Sequence, residues 1–308
     1  MGKFLLHGIL PVLTFLNNAT AQYYYADKNY YYNDLSVEIG GSVGIMNAFT
    51  DLGGKKGIGK NFIKDLNWKN SKPGYSLHAI ATYRNLVGLR LQVTLGQVAA
   101  YDSILKSVKA TTFGRYERNL SFKSSISEIQ LEVELHPQFF KNYYSRDEDP
   151  PVLSPYIVAG VGYFSFDPQA KLNGQWYRLQ PLRTEGQGFA EYPDRKPYLL
   201  NQINFSAGVG VKYEVNSLVN LRLEINHRFL NTDYLDDASE TRYIDPALFY
   251  NYLPAAKAVV ARQLFDRRAE VDPIHITNPN YQRGDPEDND SYFTIQFKIG
   301  IVPGRQRR

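Results

Sequence analysis

The residues able to do chemistry are few. Past residue 21 the chain has four histidines: His78, His136, His227 and His275. No H-E-x-x-H, G-x-S-x-G or phosphate-cradling P-loop pattern occurs. Nucleophilic catalysis needs a serine, thiol or activated water beside a positioned base. Cysteine is absent, which excludes thiol catalysis, Cys-ligated zinc and disulfides. His78 shares a strand face with Ser76 and pairs, on expectation, with an interior glutamate; it reads as a structural histidine. His227 has no adjacent serine. Gly57-Ile58-Gly59-Lys60 is phosphate-friendly in type, but it does not join a strand to a helix and is discounted. Two acidic clusters remain. Asp233, Asp236 and Asp237 form one; Asp285, Glu287, Asp288 and Asp290 form the other. Their spacing allows Ca²⁺ ligation, but neither fits the EF-hand order, and both read as solvated turns. The expectation is a non-enzyme with no catalytic residue, no cofactor and no metal.

The elements that carry these residues have a period of two. Leu35, Val37, Ile39, Val43 and Ile45 face one way, while Glu38 and Ser42 face the other. The same alternation places Leu77 against His78, Leu89 and Leu91 against Arg90, and Ile129 to Leu135 against Glu128, Glu132 and Glu134. It recurs at 157–163, 203–213, 221–229 and 293–301. Period two means strands, and eight are read. Short connections at 85–87 and 215–218 alternate with long ones. That asymmetry, with an apolar face nearly free of charge, predicts an all-β fold: an eight-stranded antiparallel transmembrane β-barrel of the outer-membrane type with long extracellular loops. The connection between the fourth and fifth strands, 136–154, is the exception, because it belongs at the short-turn end.

The N-terminus agrees. Lys3, an apolar stretch from Phe4 to Leu16 and Ala19-Thr20-Ala21 have the order of a secretory signal peptide over residues 1–21. Residues 22–34 then read as a Tyr-rich periplasmic segment, 35–302 as the barrel and 303–308 as a basic tail. The expected location is the cell outer membrane. A net charge of +4 over 308 residues argues no nucleic-acid footprint, and no small-molecule substrate is expected.

Side chains fill a barrel of eight strands. The charges expected inside are Glu38, Glu128, Glu132, Glu134, Glu214 and Glu224 against Arg84, Arg90, Lys212, Arg222, Arg228 and Lys298. Equal numbers predict a neutralised, cross-bridged interior and a closed barrel.

Several stretches resemble a known family. Arg118-Asn119-Leu120-Ser121-Phe122 with Ile126 and Glu128 is one, and 155–162 is another. The most specific is Asn231-Thr232-Asp233-Tyr234-Leu235-Asp236-Asp237-Ala238-Ser239. Its companion is Arg283-Gly284-Asp285-Pro286 with Asn289-Asp290-Ser291-Tyr292. Together they resemble the PorG-type (DUF6089) barrels of the type IX, or Por, secretion system. The resemblance implies a non-enzymatic outer-membrane component that anchors periplasmic ring proteins.

Partner surfaces follow from the layout. Apart from outer-membrane lipid, the candidate protein contact is the 136–154 connection, through Phe139, Phe140, Tyr143, Tyr144, Arg146, Asp147 and Glu148. The Tyr runs at 23–25 and 30–32 read as interface-belt residues, and the Arg-rich tail as a headgroup contact. Trp176, Tyr177, Tyr192 and Tyr198 populate one long loop; in the other, 231–290, the composition of 255–270 predicts a short helix. The second reading is a stand-alone surface barrel that binds a ligand, lipid or host surface through these loops.

Overall fold

The computed structural model describes residues 34–54, 67–112, 114–141 and 151–303. The expected signal peptide, the Tyr runs, Gly57 to Lys60 and the basic tail lie outside them.

Nine strands are present among the described residues: β1 (Leu35–Phe49), β2 (Lys72–Tyr83), β3 (Val87–Tyr101), β4 (Ser121–Leu135), β5 (Leu153–Leu172), β6 (Gln175–Arg178), β7 (Asn201–Glu214), β8 (Val219–Leu230) and β9 (Ser291–Ile301). All pairings are antiparallel, and β1 pairs with β9 while β4 pairs with β5. The sheet therefore closes with eight strands. The ninth, β6, is a short hairpin arm that pairs with the end of β5.

The alternation read from the sequence is the wall of this barrel. Leu77, Leu89, Ile129, Ile203 and Phe205 point outward, each more than 40% exposed. Their neighbours Glu132, Arg90 and Gln92 are fully buried. An apolar exterior over a charged interior suits lipid and not water, and it makes the barrel transmembrane.

One end has tight turns. Arg84 and Asn85 turn β2 into β3 with φ of 50° and 56°, the handedness that matches strand twist. This corrects one expectation. Arg84 is not an interior charge; the turn carries it outside, where it pairs with Asp34 at 2.9 Å. The interior thus holds six acids against five bases. Between β7 and β8, the Asn216 side chain accepts from the backbone N–H of Leu218 and Val219.

The opposite end carries the long loops, and their described residues are folded. α1 (Ala255–Phe265) forms where the composition predicts a helix, after Pro254. Its Ala258, Ala261, Leu264 and Phe265 pack with Phe189, Phe249, Ile244 and Leu182 into a small core. Beneath it, Met46, Phe122, Phe164, Phe166, Leu235 and Tyr292 form a second apolar layer inside the barrel mouth. The molecule is layered along its axis: charged lumen, apolar layer, folded cap.

Candidate functional site: sealed lumen and buried cap

The lumen is crossed by ion pairs. Arg90 on β3 meets Glu132 at 2.8 Å, Glu134 at 2.9 Å and Glu224 at 2.6 Å. Lys298 on β9 meets Glu224 at 2.9 Å and donates to Gln92. Arg222 on β8 reaches Glu38 and, on the far wall, Glu134, both at 2.9 Å. Arg228 meets Glu128 at 3.4 Å and donates to Gln130 on β4. Tyr156 and Tyr292 donate to Glu224 and Glu128. Lys212 and Glu214 pair lower down, at 3.3 Å. Glycines make room for this packing. A Cβ at Gly210 would lie 2.4 Å from the Tyr156 ring, and one at Gly300 would lie 2.2 Å from the Glu38 carboxylate.

The crowding of Glu128, Glu132 and Glu134 on one strand is explained by bases on the adjacent strand and on the far wall. Arg90 on the adjacent strand β3 pairs with Glu132 and Glu134, and Arg222 and Arg228 on β8 reach Glu134 and Glu128 from across the lumen. Buried charges of this kind are tolerated only when paired and hydrogen-bonded. Arg90–Glu224, Arg222–Glu134 and Arg228–Glu128 join strands that are not neighbours in the sheet.

The histidines have structural surroundings. His78 lies 3.5 Å from Glu38, the interior glutamate the sequence leads one to expect. His136 closes the tight-turn end, between Ser154 Oγ at 3.1 Å and Glu134 at 3.4 Å. His227 sits on the outer face among the rings of Phe49 and Phe229. His275 contacts Asp266 at 3.0 Å in the cap.

Of the candidate partner residues, Phe139 faces inward, against His136 and over Lys212, whose ammonium lies 5.6 Å from its ring. Phe140 is 67% exposed. Tyr143, Tyr144, Arg146, Asp147 and Glu148 lie outside the described residues.

The family-like motif is buried under the cap. Thr232, Asp233, Leu235, Asp236, Asp237, Asp290 and Tyr292 are buried, Tyr234 is half-buried and Asn289 is exposed. The reading of these acids as solvated turns is corrected for Asp233, Asp236, Asp237 and Asp290; it holds for Glu287 and Asp288, which are exposed. The physical reason is that the loop folds back on the apolar layer, so the acids flanking Leu235 go under with it.

The cap is held by residues of the family-like stretches, Arg118, Asp237 and Arg283, together with Asp102, Thr184 and Glu185, which the sequence reading did not single out. The Asp102 carboxylate takes both Arg118 nitrogens, at 2.8 and 3.0 Å, and the N–H groups of Gly53 and Leu120. Arg118 also donates to the carbonyls of Asp51 and Arg283. Arg283 is bonded to Glu185, Thr184 and the Asp237 carbonyl. Asp237 accepts from the hydroxyls of Thr184 and Tyr198. Burial pulls the Arg118 guanidinium down, but the Asp102 carboxylate bonded to it outweighs that and holds it charged, above its ordinary pKa. Burial pushes the Asp237 carboxyl up to about 6, against the pull of Arg283. Asp51, Asp102 and Glu185 are isolated acids in separate loops, and no spacing signal connects them.

No protein-family model and no curated protein matches the chain. Among solved structures it is similar to Ail, the attachment invasion locus protein of Yersinia pestis, at 8% identity, 87% of this chain, 97% of that one and a TM-score of 0.35. It is similar to Neisserial surface protein A, at 11% identity, 87% and 97% coverage and a TM-score of 0.34. OprG from Pseudomonas aeruginosa gives 9% identity, 87% and 93% coverage and a TM-score of 0.36. The barrel assignment rests on the closed strand pairing and not on these likenesses.

Proposed function

We propose that this chain is an outer-membrane β-barrel that works as a structural anchor in type IX protein secretion. It acts by presenting surfaces, neither conducting solutes nor catalysing a reaction. The sealed lumen carries this reading: Arg90–Glu224 and Arg222–Glu134 are buried pairs that span the barrel, and a folded cap closes its mouth. A plugged barrel serves by what its two ends hold. The resemblance of residues 231–239 and 283–292 supports the secretion role and names periplasmic ring proteins as partners. Exposed Phe140, in the 136–154 connection, offers a contact at the tight-turn end for such partners.

The test is a gentle-detergent pull-down of the tagged barrel from outer membranes, with mass identification of co-purifying proteins. Stoichiometric periplasmic proteins, lost in a Phe140→Ala, Tyr143→Ala, Tyr144→Ala variant, are the expected result. A barrel that purifies alone overturns the anchor reading.

One observation favours a second reading, a stand-alone surface barrel. In the cap, Ile274 is 87% exposed and Ile276 83%, and both stand clear of the loop core. Under this reading Ile274→Ser with Ile276→Ser abolishes surface binding, and changes at the tight-turn end do nothing.

A further inference from the structure

The cap holds more buried acid than base. Asp102, Glu185, Asp233, Asp236, Asp237 and Asp290 are buried there, against Arg118, Arg268 and Arg283 among the described residues. Arg118 is committed to Asp102 and Arg283 to Glu185. Arg268 lies over the rings of Tyr243 and Tyr281. Asp233, Asp236 and Asp290, with half-buried Asp51, are left facing one another, and none forms an ion pair with a described residue.

Their hydrogen bonds join two loops. Asp236 accepts from the N–H of Leu52 at 3.3 Å and of Ala238 at 2.9 Å. Asp51 accepts from Asp285 N–H at 2.6 Å, and Asp290 from Leu235 N–H at 2.8 Å. Loop 50–54 is thus tied to loop 231–290 through carboxyl groups. Both oxygens of Asp233 are buried without a hydrogen bond, with the Ser239 hydroxyl the polar side chain facing them. An unpaired buried carboxylate is far costlier than a buried carboxylic acid. No three acidic groups among the described residues converge on a metal position. Among the described residues, that leaves protons to neutralise the cluster.

We propose that Asp51, Asp233, Asp236 and Asp290 form a proton latch: the cap is closed while the cluster holds protons, and the two loops part as the cluster ionises. The charged groups facing each member agree. Asp51 faces Arg118, Asp285 and Glu185; Asp233 faces Asp51, Asp236 and Glu185; Asp236 faces Asp51 and Arg118; Asp290 faces Asp236, Asp233 and Asp51. Acids outnumber the single arginine. Burial, reinforced by the acidic neighbours and opposed at Asp51 by Arg118, pushes Asp51 up to about 7 and Asp233 up to about 10. Asp236 and Asp290 move the same way. A carboxyl whose pKa is raised in the closed state stabilises that state below its ordinary pKa. The contribution is lost as pH climbs to the raised value. Closure therefore weakens from the ordinary carboxylate range upward, through about 7 for Asp51 and about 10 for Asp233. Each group titrating across its window changes the opening constant by about tenfold per pH unit.

The experiment is amide hydrogen exchange on the full chain in detergent micelles, at about pH 6 and about pH 9, corrected for the intrinsic base-catalysed rate. Protection at Leu52 and Leu235 is expected to fall by about a thousandfold or more, with Val93 and Leu131 in the wall unchanged. In an Asp51→Asn, Asp233→Asn, Asp236→Asn variant the pH dependence is expected to vanish. The wild-type series decides by itself where that variant does not fold. Protection independent of pH overturns the latch, as does an equal fall in the variant. Saturable restoration of closure by millimolar Ca²⁺ at the higher pH also overturns it, because the cluster is then a cation site.

Discussion

Arg90 and Glu224 meet at 2.6 Å across the lumen, one from β3 and the other from β8. These strands are not sheet neighbours, so the pair ties opposite walls. Arg90→Ala leaves Glu132, Glu134 and Glu224 short of their shared cation in a buried site. Breaking such a pair costs about 3–5 kcal/mol. Urea unfolding in micelles, followed by the mobility of heated and unheated samples on gels, is expected to show that loss.

The same network sets conductance. The wild-type barrel is expected to be silent in planar bilayers. Arg90→Ala with Arg222→Ala removes two of the cross-lumen cations and is expected to give measurable ion current. Current from the wild type contradicts the sealed-lumen reading.

Arg118 binds the cap from within, through Asp102 and the carbonyls of Asp51 and Arg283. Arg118→Ala is expected to expose the long loops to protease while the barrel stays intact. The readout is limited trypsin digestion: cleavage confined to the loops at least about tenfold faster than in wild type, for a loss on the order of 2 kcal/mol or more.

The cap has its own core, centred on Phe265 and Phe249, whose rings lie 5.2 Å apart. Phe265→Ala empties this core at a cost of about 3–5 kcal/mol. Because the core is separate from the barrel, hydrogen exchange is expected to rise in α1 (Ala255–Phe265) and not in β7 or β8.

Asp237 yields a pH prediction in a narrower window. Its carboxyl is raised to about 6 by burial. Its protonated form contributes stability below the ordinary carboxylate value, and that contribution fades as pH rises to about 6. Asp237→Asn is expected to flatten cap stability across this window. Trypsin sensitivity measured at stepped acidity checks it.

Strand existence and facing were legible because a period of two survives any tertiary arrangement. Leu89, Arg90 and Leu91 must face alternate sides of whatever sheet they join, and the apolar face, free of charge, points to lipid. The interior charges followed from the same rule. Arg84 is the exception, and the reason is local: two left-handed residues at the turn break the alternation just where the strand ends. What the tertiary structure alone decided is pairing and burial at a distance. Nothing in Asp51, Asp102, Glu185 or Arg283 taken singly predicts that four loops place them under one cap. Asp233 and Asp236 look like turn acids in the chain, and they are buried because the loop around Leu235 folds onto an apolar layer drawn from β1, β4, β5 and β9. Side-chain direction depends on the backbone's own repeat, whereas loop burial depends on which distant surfaces meet.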